Sequence, residues 1–245
     1  MYSESREFLK NTGENAKKAY VSVLNERKIS GGEYGDVYEA ETKVENSSVK
    51  SRQGLQKFIL KKYSNRLGLA SEWASNAIKN YNNARKAGLR VFPTFRVARD
   101  ESTILMTNGN LKGWVCIGTN QESPGLESKE FNLQKLYDIQ NYQELIEEIF
   151  RQSKLAATAG IYLPVDSFMF LVRRDAELLD FVIGDMDGVV SDSRNSSSLW
   201  SKNFSQAILA FEYFLRRNMQ GDRVNDYIKQ LLEDKVKFLS LIPKL

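Results

Sequence analysis

The chain has 245 residues, 42% hydrophobic and 27% charged, with a formal net charge of +4. That is enough for one sizeable domain or two small lobes, and so mild a basic excess gives no argument for nucleic acid as a partner. Histidine is absent and Cys116 is the single cysteine, which excludes His-bound zinc, Ser-His-Asp and Cys-His chemistry and any intrachain disulfide. Any general base must be a carboxylate, a lysine or a tyrosine. One cysteine fits a reducing compartment. No apolar run reaches the ~18 residues of a membrane span, and Met1 to Arg6 lack the apolar core of a signal peptide. The expectation is a cytoplasmic protein with no membrane partner, translocation into a host cell by an unrecognised signal staying open.

Residues 1–27 are polar and mixed, apart from the cluster Tyr20-Val21-Val23-Leu24, and read as an N-terminal extension leading into the first strand. The stretch Ile29-Ser30-Gly31-Gly32-Glu33-Tyr34-Gly35-Asp36-Val37-Tyr38 follows, with a strand-like run after its glycines. Both a dinucleotide fingerprint and a Walker loop turn into a helix, so strand after loop favours a hairpin. A glycine-rich surface hairpin with no ligand would read the same. Residues 42–56 are polar and without period, as in an enlarged loop. Phe58-Ile59-Leu60-Lys61-Lys62-Tyr63 is then a compact strand, in which Lys61 and Lys62 point to opposite faces.

Trp73, Ala77, Ile78, Tyr81 and Ala84 recur at helical spacing, with Gly88 as the residue just past the end. Phe95–Ala98 and Thr103–Thr107 read as a hairpin around Asp100-Glu101, broken by Asn108-Gly109-Asn110. Residues 111–130 read as loop. Leu145, Ile146, Ile149, Phe150 and Ala157 form an apolar stripe on a helix from about Asn141 to Ala159. Asp166 stands in the loop Gly160–Asp166, ahead of a strand Phe168–Val172. A second strand, Leu178–Ile183, runs into Gly184-Asp185-Met186-Asp187-Gly188. In an extended segment Asp185 and Asp187 would share a face and could share a cation. Ser191–Ser198 is serine-rich, and two helices, at about Phe204–Arg217 and Arg223–Phe238, complete the chain.

This order of motifs resembles the protein-kinase-like superfamily. It is closest in character to minimal protein kinases such as small bacterial effector kinases, with features of RIO-type and aminoglycoside phosphotransferases. The stretch Ser30–Val37 resembles the family's glycine-rich loop, with Ser30 where the first glycine would be. Phe58–Lys61 resembles the Val-Ala-Ile-Lys strand, and Asp185–Gly188 the magnesium-binding Asp-Phe-Gly segment. The fold implied is α+β: two-lobed, with a small antiparallel-sheet N-lobe over residues 28–108 and a reduced, mostly helical C-lobe over 109–245.

The resemblance implies ATP and magnesium as cofactors. Ser30, Gly31, Gly32, Tyr34, Gly35 and Val37 would cover the nucleotide, and Lys61 would hold the α- and β-phosphates. Backbone near Met106 and Asn108 would meet the adenine. Asp166 would orient the attacking hydroxyl, while Asp185 and Asp187 would hold the metal. Two positions depart from the pattern. Asn80 stands near the place of the helix glutamate that pairs with the lysine, leaving Glu72 as the only acid on that helix. Leu171 stands where a metal-binding asparagine belongs. The implied activity is transfer to serine or threonine of a protein substrate, a host protein if the chain is a secreted effector. A small-molecule phosphotransferase of the aminoglycoside or choline type and a nucleotide-binding pseudokinase are the alternatives.

Overall fold

Short apolar runs separated by polar turns build an antiparallel sheet, and longer stripes at helical period build the helices after it. The computed structural model describes residues 21–32, 35–44, 56–64, 68–97, 100–109, 114–118, 136–173, 177–191, 196–219 and 221–243. The architecture is α+β. Among the described residues no helix is long and apolar enough to cross a membrane. The chain divides into two compact units. The described residues up to Tyr81, with Phe92–Asn108, form the first; Asn82–Val91 and the described residues from Gly109 onward form the second.

The first unit holds a five-stranded antiparallel sheet of β1 (Val21–Gly32), β2 (Gly35–Val44), β3 (Gln56–Tyr63), β4 (Thr94–Val97) and β5 (Asp100–Thr107), in the order β1-β2-β3-β5-β4. The first strand begins at Val21, inside the stretch read as an extension. Its polar residues are satisfied across the strand pair, Arg27 by Glu39 at 3.0 Å and Asn25 by Glu41 at 3.2 Å. The β4–β5 hairpin forms, but Asp100 belongs to β5, where its carboxylate accepts bonds from the Ser102 N–H and hydroxyl and the Thr103 hydroxyl. Ala40, Phe58, Leu60 and Leu105 form a core cluster on one face of the sheet.

Helix α1 (Ala70–Lys86) buries Ala70, Ala74, Ala77, Tyr81 and Ala84, a three-and-four spacing that lays one narrow stripe along it. Its end is a Schellman motif: Leu89 N–H donates to the Ala84 carbonyl and Gly88 N–H to that of Arg85, with Gly88 at φ +79°. That left-handed backbone is what a glycine at the end of a helix supplies.

The second unit contains β6 (Trp114–Gly118), α2 (Tyr142–Thr158), β7 (Ile161–Tyr162), a 3-10 turn at Val165–Ser167, β8 (Phe168–Arg173), β9 (Leu178–Ile183), β10 (Val190–Ser191), α3 (Ser196–Asn218) and α4 (Gly221–Ser240). Strands β6, β8 and β9 form an antiparallel sheet in that order, and β7 pairs with β10. Two expectations are corrected. Residues 114–118 are a strand rather than loop, pairing Cys116 with Leu171. Helix α3 starts at Ser196, well before Phe204, so part of the serine-rich stretch is its first turn. The core is aromatic: Phe150 lies 4.7 Å from Trp200, 5.1 Å from Phe204 and 4.8 Å from Phe238, ring centre to ring centre. Phe170 packs 5.3 Å from Phe211 and 4.8 Å from Phe214.

Candidate functional site

In the first unit the register gathers several candidate residues on one face. Val37 lies opposite Lys61, Lys61 opposite Ile104, and Ile59 opposite Met106. Directly opposed residues share a face, so Val37, Lys61 and Met106 stand together. Lys62 is on the other face, ion-paired to Glu26 at 2.6 Å and lying over the Tyr38 ring at 4.8 Å. Lys61 Nζ lies 5.4 Å from the Tyr63 ring centre, and that ring in turn contacts Trp73 of α1 at 6.4 Å. The two lysines are therefore not interchangeable. Glu72, the one acid on α1, is exposed and has no partner among the described residues.

The glycine hairpin is present as a strand pair, with Ser30 opposite Val37, Gly31 opposite Asp36 and Gly32 opposite Gly35. Glu33 and Tyr34, at its tip, lie outside the described residues, so the candidate contact at Tyr34 does too. Asp36 reaches back across the pair to Lys28 at 2.7 Å. That hydrogen bond raises the Lys28 ammonium above its ordinary range.

Gly35 has a reason of its own to be glycine. A Cβ there would collide with the Lys62 carbonyl oxygen and stand 2.9 Å from the Tyr63 Cα, both backbone atoms of β3. Gly35→Ala should cost about 1–3 kcal/mol, as overpacking does. Urea unfolding without any ligand checks this, and an unchanged midpoint would mean that the strand moves aside freely.

Met106 lies inside the sheet, opposite Ile59 on one side and Thr94 on the other, so its peptide groups serve the ladder. Asn108 is the first residue past β5. It is buried, with its side-chain amide 3.4 Å from Glu39 Oε1.

In the second unit the two aspartate segments meet. Asp166 occupies the 3-10 turn and is exposed, while Ser167 beside it is fully buried. The Ser167 hydroxyl and N–H both bond the Pro164 carbonyl, at 2.7 Å and 3.1 Å. Its own carbonyl accepts the Gly184 N–H at 2.8 Å, next to Asp185. A Cβ built on Gly188 would stand 3.8 Å from Asp166 Oδ1 and 3.3 Å from Pro164 Cγ. The Asp166 turn and the 184–188 segment are thus in contact range.

Asp185 and Asp187 do not stand in an extended segment, so the shared face expected of them loses its ground. The segment leaves the extended conformation after Ile183: Asp185 has φ +44°, and Gly188 N–H closes a turn on the Asp185 carbonyl at 3.2 Å. Strand alternation does not apply to a turn. A non-glycine residue at positive φ is uncommon and costs backbone energy, and such residues cluster at functional sites. Met186, between the two aspartates, is buried, and both carboxylates are half-buried.

Leu171 is 4% exposed within β8, opposite Asp180 and Cys116, so it takes no part in this turn. Among the described residues no three carboxylate, thiol or imidazole side chains gather as a metal cluster. Magnesium needs only one or two carboxylates, completed by water and phosphate oxygens, so the hard oxygen donors of Asp185 and Asp187 fit it.

Two asparagines that position these segments were not singled out from sequence. Asn203, fully buried on α3, donates to the Ile161 carbonyl at 2.8 Å and accepts the Leu163 N–H at 2.9 Å, holding the chain that enters the Asp166 turn. Asn141 does the same for Leu179 of β9, at 2.7 Å and 3.0 Å. The signal for Asn203 was available: a polar residue inside the buried stripe that continues through Phe204, Ala207 and Phe211 demands a partner.

No protein-family model matches the chain, and no curated protein matches it.

Proposed function

We propose that the chain is an ATP- and magnesium-dependent phosphotransferase, with transfer to serine or threonine of a protein as the leading reading. What carries it is the apposition of the Asp166 turn with the 184–188 segment, added to the resemblance of those motifs to kinases. Asp166 would accept or orient the acceptor hydroxyl, which its exposure permits. Lys61, half-buried among apolar neighbours, would pair with the nucleotide's α- and β-phosphates. The adenine contact falls to Asn108, since the Met106 peptide groups are engaged in the sheet. Magnesium, when bound, would neutralise charge on the β- and γ-phosphates, and Asp185 with Asp187 would hold it. Transfer of this kind depends on positioning and charge neutralisation, so a small set of groups can support it.

The test is incubation with labelled ATP and magnesium, read both as transfer and as thermal stability. ATP with magnesium should raise the melting temperature, because a ligand that binds only the native state stabilises it by mass action. No shift at millimolar nucleotide in a folded sample would sink the nucleotide site. Lys61→Met should abolish most of the shift, whereas Lys62→Met, which removes a pair to Glu26, should leave it. The reverse pattern would overturn the assigned face.

Leu171 favours a second reading. It is buried in β8, where kinases carry a metal-binding asparagine, and with Asn80 on α1 it suits a pseudokinase that binds nucleotide and serves as an interaction module. A melting shift without transfer to itself, to generic proteins or to a panel of metabolites would decide for it.

A further inference from the structure

Arg90 makes contact with β9 at two points. Its guanidinium forks onto both carboxylate oxygens of Asp180, with both side chains buried. Its carbonyl accepts the Ile183 N–H at 2.7 Å, and Val91 bridges to Ile183 in parallel. Between these points the guanidinium rests 5.5 Å from the Phe181 ring centre. Arg90 is held in its turn by α2, where the buried Gln152 Oε1 accepts its N–H at 2.9 Å. The other edge of β9 is paired with β8, Phe168 opposite Ile183. Ile183 is thus gripped on both sides immediately before Gly184 and Asp185.

The arrangement is costly in itself. A buried ion pair is desolvated, and a well-packed apolar pair of similar volume is often as stable or more so. Here, moreover, the Arg90 Nε is buried with no hydrogen-bond partner among the described residues. Stability alone does not explain the pair, whereas geometry does: a bidentate fork fixes the angle of a strand as well as its distance.

From these contacts we infer that Arg90 and Asp180 are a positioning pair for Asp185, fixing the end of β9 so that the 184–188 turn is held against the Asp166 turn. The inference rests on the phosphotransferase reading for its functional half only. Its geometric half concerns the free protein.

The experiment replaces the pair with apolar residues, Arg90→Met with Asp180→Leu, because either change alone leaves a buried charge unpaired and is expected to destabilise the fold. The double variant should melt within about 5 °C of the wild type. In the free protein, its Gly184 and Gly188 amides, bonded to Ser167 and Asp185, should exchange with solvent about tenfold faster, as expected for a loosened local unit. The magnesium concentration for half-maximal transfer should rise by about tenfold, while ATP affinity measured in a chelator stays at the wild-type value. A purely structural role would not separate those two constants. Should the double variant fail to fold, Arg90→Lys, which keeps the charge and loses the fork, carries the same two readouts. Unchanged exchange at Gly184 and Gly188 in a folded variant overturns the proposal, and so does an unchanged magnesium requirement in an active one. A wild type that transfers no phosphate overturns the phosphotransferase reading instead, and the exchange comparison, which needs no activity, still decides whether the pair sets the turn.

Discussion

Asp185→Asn is expected to reduce phosphoryl transfer to background without lowering the melting temperature by more than a few degrees. Asp185 is half-buried and stands at φ +44° in a turn, and asparagine tolerates that backbone nearly as well as aspartate. The variant therefore removes charge and leaves shape. On the proposed reading Asp185 would help to hold magnesium, which would supply charge neutralisation at the phosphates, and the variant would lack the negative oxygen for it. Asp166→Asn should behave differently. Nucleotide and metal binding should persist, while transfer falls by about 10²–10⁴-fold, as expected when a general base is lost. Asp187→Asn should keep ATP binding and raise the magnesium requirement. Titrating magnesium against transfer for the three variants separates these roles. An Asp187 variant with wild-type dependence would leave Asp185 as the single carboxylate ligand, and an active Asp185 variant would remove the metal assignment altogether.

Phe170→Ala is expected to be the most damaging change to the fold, at about 3–5 kcal/mol. Phe170 is fully buried in β8, where its ring is packed by Phe211 and Phe214 of α3. Those neighbours are themselves 0% and 2% exposed, so the cavity cannot close by drawing in a side chain from the surface. A domain holds only about 5–15 kcal/mol in total. Denaturant unfolding gives the value directly. A loss under about 1 kcal/mol would mean that the α3 aromatics collapse into the space.

What the sequence made legible was whatever carried its own period. The stripe Leu145-Ile146-Ile149 placed α2 within a residue at each end, and the alternation through Phe58–Tyr63 separated Lys61 from Lys62. Elements that owe their existence to a distant partner were harder to see. Trp114-Val115-Cys116-Ile117 is too short to announce a strand between Gly113 and Gly118, and it is one only because β8 lies beside it. The first turn of α3, Ser196-Ser197-Ser198, has poor helix propensity and is carried by the buried Leu199 and Trp200 behind it. The start of β1 was hidden because Asn25, Glu26 and Arg27 find their partners on β2 and β3 rather than in a hydrophobic face. At the candidate site, residue identities could be read but backbone conformation could not: nothing local says that the chain leaves β9 with Asp185 at positive φ. Gly35 carries the opposite lesson, since its place in a glycine motif is equally explained by the backbone of β3 pressing against it.

The outer side of β9 also bears on how these molecules behave towards one another at high concentration. An edge strand offers a row of N–H groups to any passing chain, and unprotected rows of this kind lead to strand-to-strand aggregation. Here the row is occupied: Leu179 N–H goes to the Asn141 side chain, Phe181 N–H to the Asp180 carboxylate and Ile183 N–H to the Arg90 carbonyl. The run Leu-Leu-Asp-Phe-Val-Ile, apolar enough to be an amyloid-prone hexapeptide if released, is kept from self-association by two side chains and one peptide group rather than by a neighbouring strand.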